Sequence, residues 1–312
     1  MTVGARTVER LAAASAWRRF AVDASGDGWV RLADRLADPA GLDAWYEAEL
    51  VGPAGGHRDL AGALIVYRFA GSLAELVMGP LLDRRRVLLL SPANLSFLLA
   101  AGTRIDALSV ASPAVALLPD DPEAEGVAGA ADPRRADRAV AGDAAVVVAD
   151  RAELHDVAAD GLCAVFEPLA DAVRARAPFG LRGMWGTLAD HVAEGALSWA
   201  REHGGDRDHA WSEAEAVIDA VAARQPLLRV RPRRHPVPSP AGDDLFADKG
   251  TCCLIYKVHE LPVSSATGGA PSPMQRRIAE AACASCPLRS RSDRHNRFSR
   301  YLAQRAAGSR GT

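Results

Sequence analysis

The chain has 312 residues, 49% of them hydrophobic and 24% charged, with a formal net charge of -2. That length allows one large domain or two ordinary ones, and the composition excludes both a disordered chain and a basic nucleic-acid binder. Basic charge is almost entirely arginine, Lys249 and Lys257 being the only lysines, so an arginine cluster carries less weight here than in an average protein.

Along the chain, the first segment, "MTVGARTVERLAAASAWRRFAVDA", lacks the unbroken apolar run and small-residue cleavage site of a secretory leader, which leads to the expectation of a cytoplasmic protein. Residues 6–51 carry helical spacing: Val8, Leu11, Ala12 and Trp17 fit a first helix, and Leu32, Leu36, Leu42, Trp45 and Leu50 fit others around "DPAG". Residues 60–82 approach membrane-spanning length, but Arg68 and Glu75 each oppose insertion by about 2.5–3.5 kcal/mol, so a buried core helix is expected and no transmembrane segment. The short apolar runs that follow, punctuated by Pro92, Gly102 and Pro113, suit the strands of a small antiparallel or mixed sheet. Residues 119–143 are nearly devoid of large apolar side chains and are expected to form a surface loop or linker. That places a boundary between residues 1–143, a helical region with a small sheet, and residues 144–312, although the two could form one continuous domain.

From Leu154 to Pro178 the spacing is helical, with Pro168 expected to kink or split the helix and Cys163 expected as a small buried hydrophobe. "GMWGTLADHVAEGALSWARE" puts Trp185, Leu188, Val192, Ala196 and Trp199 on one face, which marks the tryptophans as core and His191 as structural. "SEAEAVIDAVAAR" opens with Ser212 and Glu215 in capping-box spacing and ends before Pro226. "VGPAGGHRDLAGA" has neither the preceding strand nor the Gly-Lys-Ser/Thr ending of a phosphate loop. The fold class expected is α+β, predominantly helical, with a C-terminal four-cysteine cluster lobe.

Four of the five cysteines fall into two short segments: Cys252 and Cys253 open "CCLIYKV", and "CASCPLR" supplies Cys283 and Cys286. The first pair reads as the entry of a strand. Neighbouring residues of a strand point to opposite faces, so both sulfurs can reach one centre only where the backbone bends, and Gly250 allows such a bend. For the second pair, Ser272, Pro273 and Gln275 are helix-start signals and Met274, Ile278 and Ala282 form a stripe, which predicts a helix ending at Cys283; Pro287 stops its continuation. Four thiolates at one centre repel unless a cation neutralises them, which leaves a zinc ion or an iron–sulfur cluster. Structural zinc is usually held by two spaced Cys-x-x-Cys knuckles, and this sequence has one, so the vicinal pair favours the cluster.

These segments resemble the C-terminal cluster motif of the FhuF-like ferric siderophore reductases, and "GMWGTLADHVAEGA" resembles the Leu/Met-Trp-Gly helix upstream in that family. The match is best over about residues 180–290, with fainter similarity from about residue 60. Two departures stand out: the segment between Cys253 and Cys283 is longer than in the founding members, and Thr187 replaces the Asn that many members carry after Trp-Gly. The resemblance implies a [2Fe-2S] cluster ligated by Cys252, Cys253, Cys283 and Cys286. It also implies one-electron reduction of a ferric siderophore, with electrons from a donor protein such as a ferredoxin. No acid, base or nucleophile is needed, and no nucleic acid is involved. The alternatives are a zinc-stabilised binding or regulatory protein, and an iron–sulfur carrier or redox sensor without reductase activity.

Arg276, Arg277, Arg289, Arg291, Arg294, Arg297 and Arg300 flank the second pair; each is expected on a solvated helix rather than offsetting an anionic centre. Tyr256 and Lys257 are expected in strand packing, and His259 and His295 at the surface.

Overall fold

A computed structural model describes residues 1–16, 18–127, 145–239, 242–258 and 280–308. Helix α1 (Val3–Ala14) begins where the Thr2 hydroxyl accepts the Ala5 N–H, and it buries Val8 and Leu11. The all-helical reading of residues 6–51, as separate short helices, is corrected by two strands, β1 (Arg19–Val22) and β2 (Trp29–Arg31), which precede α2 (Leu32–Ala37) and α3 (Pro39–Val51). Runs of three or four residues are too short to display an alternation, and their extended state depends on distant partners. Trp17 lies outside the described residues.

Strands β4 (Leu95–Ala100) and β5 (Arg104–Val110) pair antiparallel, β1 lies parallel to β5 and β2 antiparallel to β4, giving the order β1-β5-β4-β2. A second mixed sheet holds β3 (Arg86–Leu88), β6 (Val115–Leu117) and β7 (Ala145–Val147) in the order β3-β6-β7. The expected strands of this region are therefore present, divided between two sheets. Of the expected surface loop, residues 119–127 are described: Asp121 is buried there and binds the guanidinium of buried Arg86 at 2.6 and 2.7 Å, so this part is anchored rather than free in solvent. Residues 128–144 lie outside the described residues.

Helix α4 (Arg58–Arg84) has the length and hydropathy of a membrane span, but 78% of its most apolar stretch is buried inside the protein, as expected of a core helix. It packs along α6 (Leu181–Glu202), the most extensive helix pairing of the fold, while α5 (Arg151–Arg174) and α7 (Arg207–Arg224) pack on one another and on α6. Helix α5 runs through Pro168 unbroken, and Cys163 packs against the core from its flank. Burial pushes the Cys163 thiol up to about 11. Helix α6 is buried on more than the expected face, since Met184, Ala189, Asp190 and His191 are covered along with Trp185 and Trp199. Helix α7 starts earlier than the capping-box spacing predicts: Asp206 caps it by accepting the Asp208 N–H at 2.8 Å, and Ser212, one turn inside, donates to the Asp208 carbonyl.

The chain closes with an antiparallel pair, β8 (Arg233–Val237) and β9 (Asp244–Asp248), and helix α8 (Arg291–Gly308). One continuous apolar core draws residues from Val8 to Ala247, on both sides of residue 143. The result is a mixed α+β fold, 55% helical with small sheets.

Candidate functional site

The vicinal cysteines follow β9 rather than opening a strand, which corrects the sequence reading. After Asp248 the chain turns, Leu254 takes a left-handed conformation with φ of 60°, and Ile255–Lys257 form a single 3-10 turn. A β-rich composition is overridden here because this backbone turns an amide toward sulfur. The Leu254 N–H donates to the Cys252 sulfur at 3.4 Å.

One close approach holds this turn against α6 and a second against the segment before β8. A Cβ on Gly186 would stand 2.1 Å from the Thr251 hydroxyl oxygen, so any larger residue there must displace the Thr251 side chain. A Cβ on Gly250 would stand 2.8 Å from the Arg231 carbonyl oxygen; Gly250 serves close packing, and the left-handed bend falls at Leu254 instead. One turn along α6, buried Asp190 accepts the Gly250 N–H at 2.8 Å and the Thr251 N–H at 2.9 Å. Burial lifts the Asp190 carboxyl to about 7 despite these two donors. Thr187 spends its hydroxyl on the Gly183 carbonyl of its own helix, 2.9 Å away. His191 is buried against the Tyr67 ring, with centroids 4.3 Å apart, and burial keeps it well below the usual imidazole range.

The second pair sits in a tight turn. Glu280 and Ala281 are helical and the helix stops before Cys283, while its expected start at Ser272, Pro273 and Gln275 lies outside the described residues, as do Met274 and Ile278. The Cys286 N–H returns to the Cys283 carbonyl at 3.2 Å, and the Ser285 hydroxyl donates to the Cys283 sulfur at 3.9 Å.

The expectation of a solvated arginine helix is corrected for Arg289 and Arg294. The Arg289 side chain is fully buried; it donates to the Cys283 carbonyl at 2.9 Å, to the Ala282 carbonyl, and to Asp293 at 2.6 Å. Arg294 donates to the Arg289 carbonyl at 2.6 Å and pairs with Asp248 at 2.7 Å, tying α8 to the end of β9. Arg291 and Arg300 are exposed as expected, Arg297 pairs with Asp293, and Arg276, Arg277 and His259 lie outside the described residues. His295 is half-buried rather than at the surface. Its Nδ1 lies 3.4 Å from Nε2 of buried His235, whose Nδ1 meets Asp248 at 2.9 Å.

The two segments meet. The Lys249 N–H donates to the Ser285 carbonyl at 3.1 Å, and the four thiols interact across the junction. Cys252 adjoins Cys286, and Cys283 adjoins both Cys253 and Cys286. Each vicinal cysteine is thus paired with one from the second segment. Beside Cys286, Cys252 is lowered to about 7, and Cys283, beside Cys253 and Cys286, is lowered further; Cys253 and Cys286 are raised. All five cysteines are free of disulfides. Among the described residues no group of three or more His, Cys, Asp or Glu side chains has the arrangement of a metal site.

Both lysines of the chain lie here, a fact the sequence displayed and composition alone did not explain. Lys249 is buried, its ammonium 2.8 Å from Glu194 and 4.9 Å above the Tyr67 ring. Burial opposes its charge, but Glu194, Tyr67 and Cys283 outweigh that cost and raise it well above the usual range. Lys257 pairs with Asp59 in the first turn of α4, and Tyr256 packs on Cys286 and Ala282 rather than in a strand. A cavity of about 280 Å³ opens beside Cys283 between α4, α6, β9 and α8.

Set against protein-family models, curated proteins and solved structures, the chain matches none of them.

Proposed function

We propose that the chain is an oxidoreductase of the FhuF-like kind, a cytoplasmic ferric siderophore reductase with a [2Fe-2S] cluster held by Cys252, Cys253, Cys283 and Cys286. The observation that carries this reading is the meeting of two segments distant in sequence, so that Cys252 adjoins Cys286 and Cys283 adjoins Cys253 and Cys286, with two of the sulfurs also receiving a hydrogen bond. Those donors are the Leu254 N–H to Cys252 and the Ser285 hydroxyl to Cys283. Hydrogen bonds to sulfur and nearby cations are the means by which a protein sets cluster potential. The donor set fits a two-iron cluster, which needs two thiolates per iron and tolerates a vicinal pair, better than a zinc site built on two spaced knuckles.

When bound, the cluster supplies a one-electron carrier. Held by Cys252, Cys253, Cys283 and Cys286, it would take one electron from a donor protein of the ferredoxin type and would pass it to chelated ferric iron. Ferrous iron is softer and held less tightly by hard oxygen ligands, so the transfer releases the metal. The chain's own contribution is to hold the sulfurs, to place Lys249 beside Cys283, and to leave open the cavity at that sulfur.

Anaerobic purification is expected to give a brown protein with about two irons per chain and a spin-resonance signal on one-electron reduction. Cys286→Ser should remove most of the iron and colour, whereas Cys163→Ser should leave both unchanged. Mixing the reduced protein with a ferric chelate should reoxidise it as a ferrous-iron indicator develops. A colourless protein with one zinc, or a cluster indifferent to every ferric chelate, would overturn the proposal.

A further inference from the structure

The two lysines flank the vicinal cysteines in sequence, but their settings differ. Lys249 and Cys283 line the same cavity, and the Lys249 N–H donates to the Ser285 carbonyl at 3.1 Å, which fixes this residue against the second cysteine segment. Lys257 ends the 3-10 turn after the vicinal pair and is tied to α4 through Asp59. The charge of Lys249 acts on Cys253 and Cys283, and that of Lys257 acts on Cys252.

Each lysine has a carboxylate partner, so the difference lies in where the ions of each pair sit. The Lys249 side chain is 4% exposed while Glu194, 2.8 Å away, is 40% exposed; Lys257 and Asp59 are 26% and 30% exposed. A charge surrounded by protein acts strongly on its neighbours, whereas one in water is screened. In the first pair the cation faces the protein and the anion faces solvent, so pairing leaves a positive field at the sulfurs. In the second pair both ions are partly hydrated, and their fields largely cancel. The Tyr67 ring, 4.9 Å from the Lys249 ammonium, covers it further. Arg289 also brings a buried cation to the second segment, but it is directed at the Cys283 carbonyl.

One-electron reduction of a cluster adds one negative charge, so a buried cation stabilises the reduced form more than the oxidised one. Resting on the iron–sulfur reading above, we infer that Lys249 is a positioning residue for the electron: its buried charge beside Cys283 raises the cluster potential, whereas Lys257 serves to hold the turn on α4.

Redox titration of the iron-replete protein with dithionite and mediators, followed by spin resonance, reads the midpoint without any chelate present. Lys249→Met keeps the length of the side chain and leaves Glu194 to water. It should lower the ratio of reduced to oxidised cluster at a fixed potential by about tenfold or more, a fall in midpoint of about 59 mV or more for one electron. Glu194→Gln should move the midpoint the other way, since it removes the anion and keeps the cation. Loosening of the fold does not give opposite signs at the two ends of one ion pair. Lys257→Met should change the ratio by less than about threefold, because its charge is already screened. Iron content and circular dichroism check that each variant is folded and loaded; where Lys249→Met does not load, the upward shift in Glu194→Gln carries the test.

A midpoint unmoved by Lys249→Met, an equal shift in Lys257→Met, or a downward shift in Glu194→Gln overturns the inference. The two readings fail separately. A cluster whose midpoint follows Lys249 but which reduces no ferric chelate keeps the inference and loses the reductase, and a protein that reduces ferric chelates at a midpoint indifferent to Lys249 does the reverse. A chain that takes up no cluster overturns both.

Discussion

Gly186 on α6 and Thr251, one residue before the vicinal cysteines, touch closely: a Cβ at residue 186 would lie 2.1 Å from the Thr251 hydroxyl oxygen and force that side chain to move. This gives the Trp-Gly pair of α6 a physical role. Trp185 anchors the helix in the core against Phe166, with ring centroids 4.9 Å apart, and the next residue must be small for the cysteine turn to lie on the helix. Gly186→Ala is therefore expected to cost about 1–3 kcal/mol, typical of overpacking, through displacement of the turn. Iron content per chain should fall more sharply than helical circular dichroism. Full iron occupancy in this variant would mean that the turn's seat on α6 does not position the sulfurs.

Asp190 acts at the same seat through hydrogen bonds. Its two oxygens take the N–H groups of Gly250 and Thr251, and an amide can accept only one of them while turning its own NH2 toward the other. Asp190→Asn should thus leave one buried donor unpaired at about 1–3 kcal/mol, lower the melting temperature and weaken cluster retention against a chelator. Stability and retention equal to the parent would show that the carboxylate is dispensable.

How far the sequence disclosed this arrangement depends on the range of the forces involved. The long helices α4 and α6 announce themselves because apolar spacing over twenty residues has one reading, and the five-cysteine count directed attention to two segments. The strands β1 and β2 are silent because a three- or four-residue strand is specified by its partner, not by itself. "CCLIYKV" misleads for a related reason: Leu, Ile, Tyr and Val have strand propensity, yet here the left-handed Leu254 and its N–H turned to sulfur decide the backbone. Arg289 was hidden by a composition rich in arginine, since nothing local separates a buried guanidinium from its solvated neighbours. The rarity of lysine was the better signal: Lys249 and Lys257 flank the vicinal cysteines in a chain with no other lysine.

Arg289 offers a sharp discrimination between charge and geometry. Its guanidinium spans the Ala282 and Cys283 carbonyls and Asp293, three acceptors in different directions that one ammonium cannot serve at once. Arg289→Lys preserves the charge but is expected to cost about 1.5–3 kcal/mol, the worth of a hydrogen bond to a charged group, and to loosen the turn at Cys283 and Cys286. Arg300→Ala, on an exposed side chain of the helix that follows, α8, should change the melting temperature very little. The measurement is thermal unfolding paired with iron content; equal behaviour of the two variants would return Arg289 to the class of ordinary surface arginines.

Far from the cysteines, Glu49 provides a test in pH. The side chain on α3 is fully buried; Arg68 of α4 binds Oε1, and Oε2 has no hydrogen-bond partner. Burial outweighs the pairing with Arg68 and raises the carboxyl to about 7 from an ordinary value of 4.5. The folded state therefore holds this proton more tightly than the unfolded chain does. The stabilisation is complete below pH 4.5 and is lost as pH rises from there to about 7, since the folded form binds more protons in that window. The full span corresponds to at most about 3 kcal/mol at 1.36 kcal/mol per pH unit. Urea unfolding of the parent and of Glu49→Gln across this range isolates the group, because Asp190 and the other titrating residues are common to both proteins. The parent should lose stability relative to the variant as pH rises, with the difference levelling off above pH 7. Parallel curves, or a parent that gains on the variant, would mean that Arg68 keeps Glu49 ionised in the folded protein throughout.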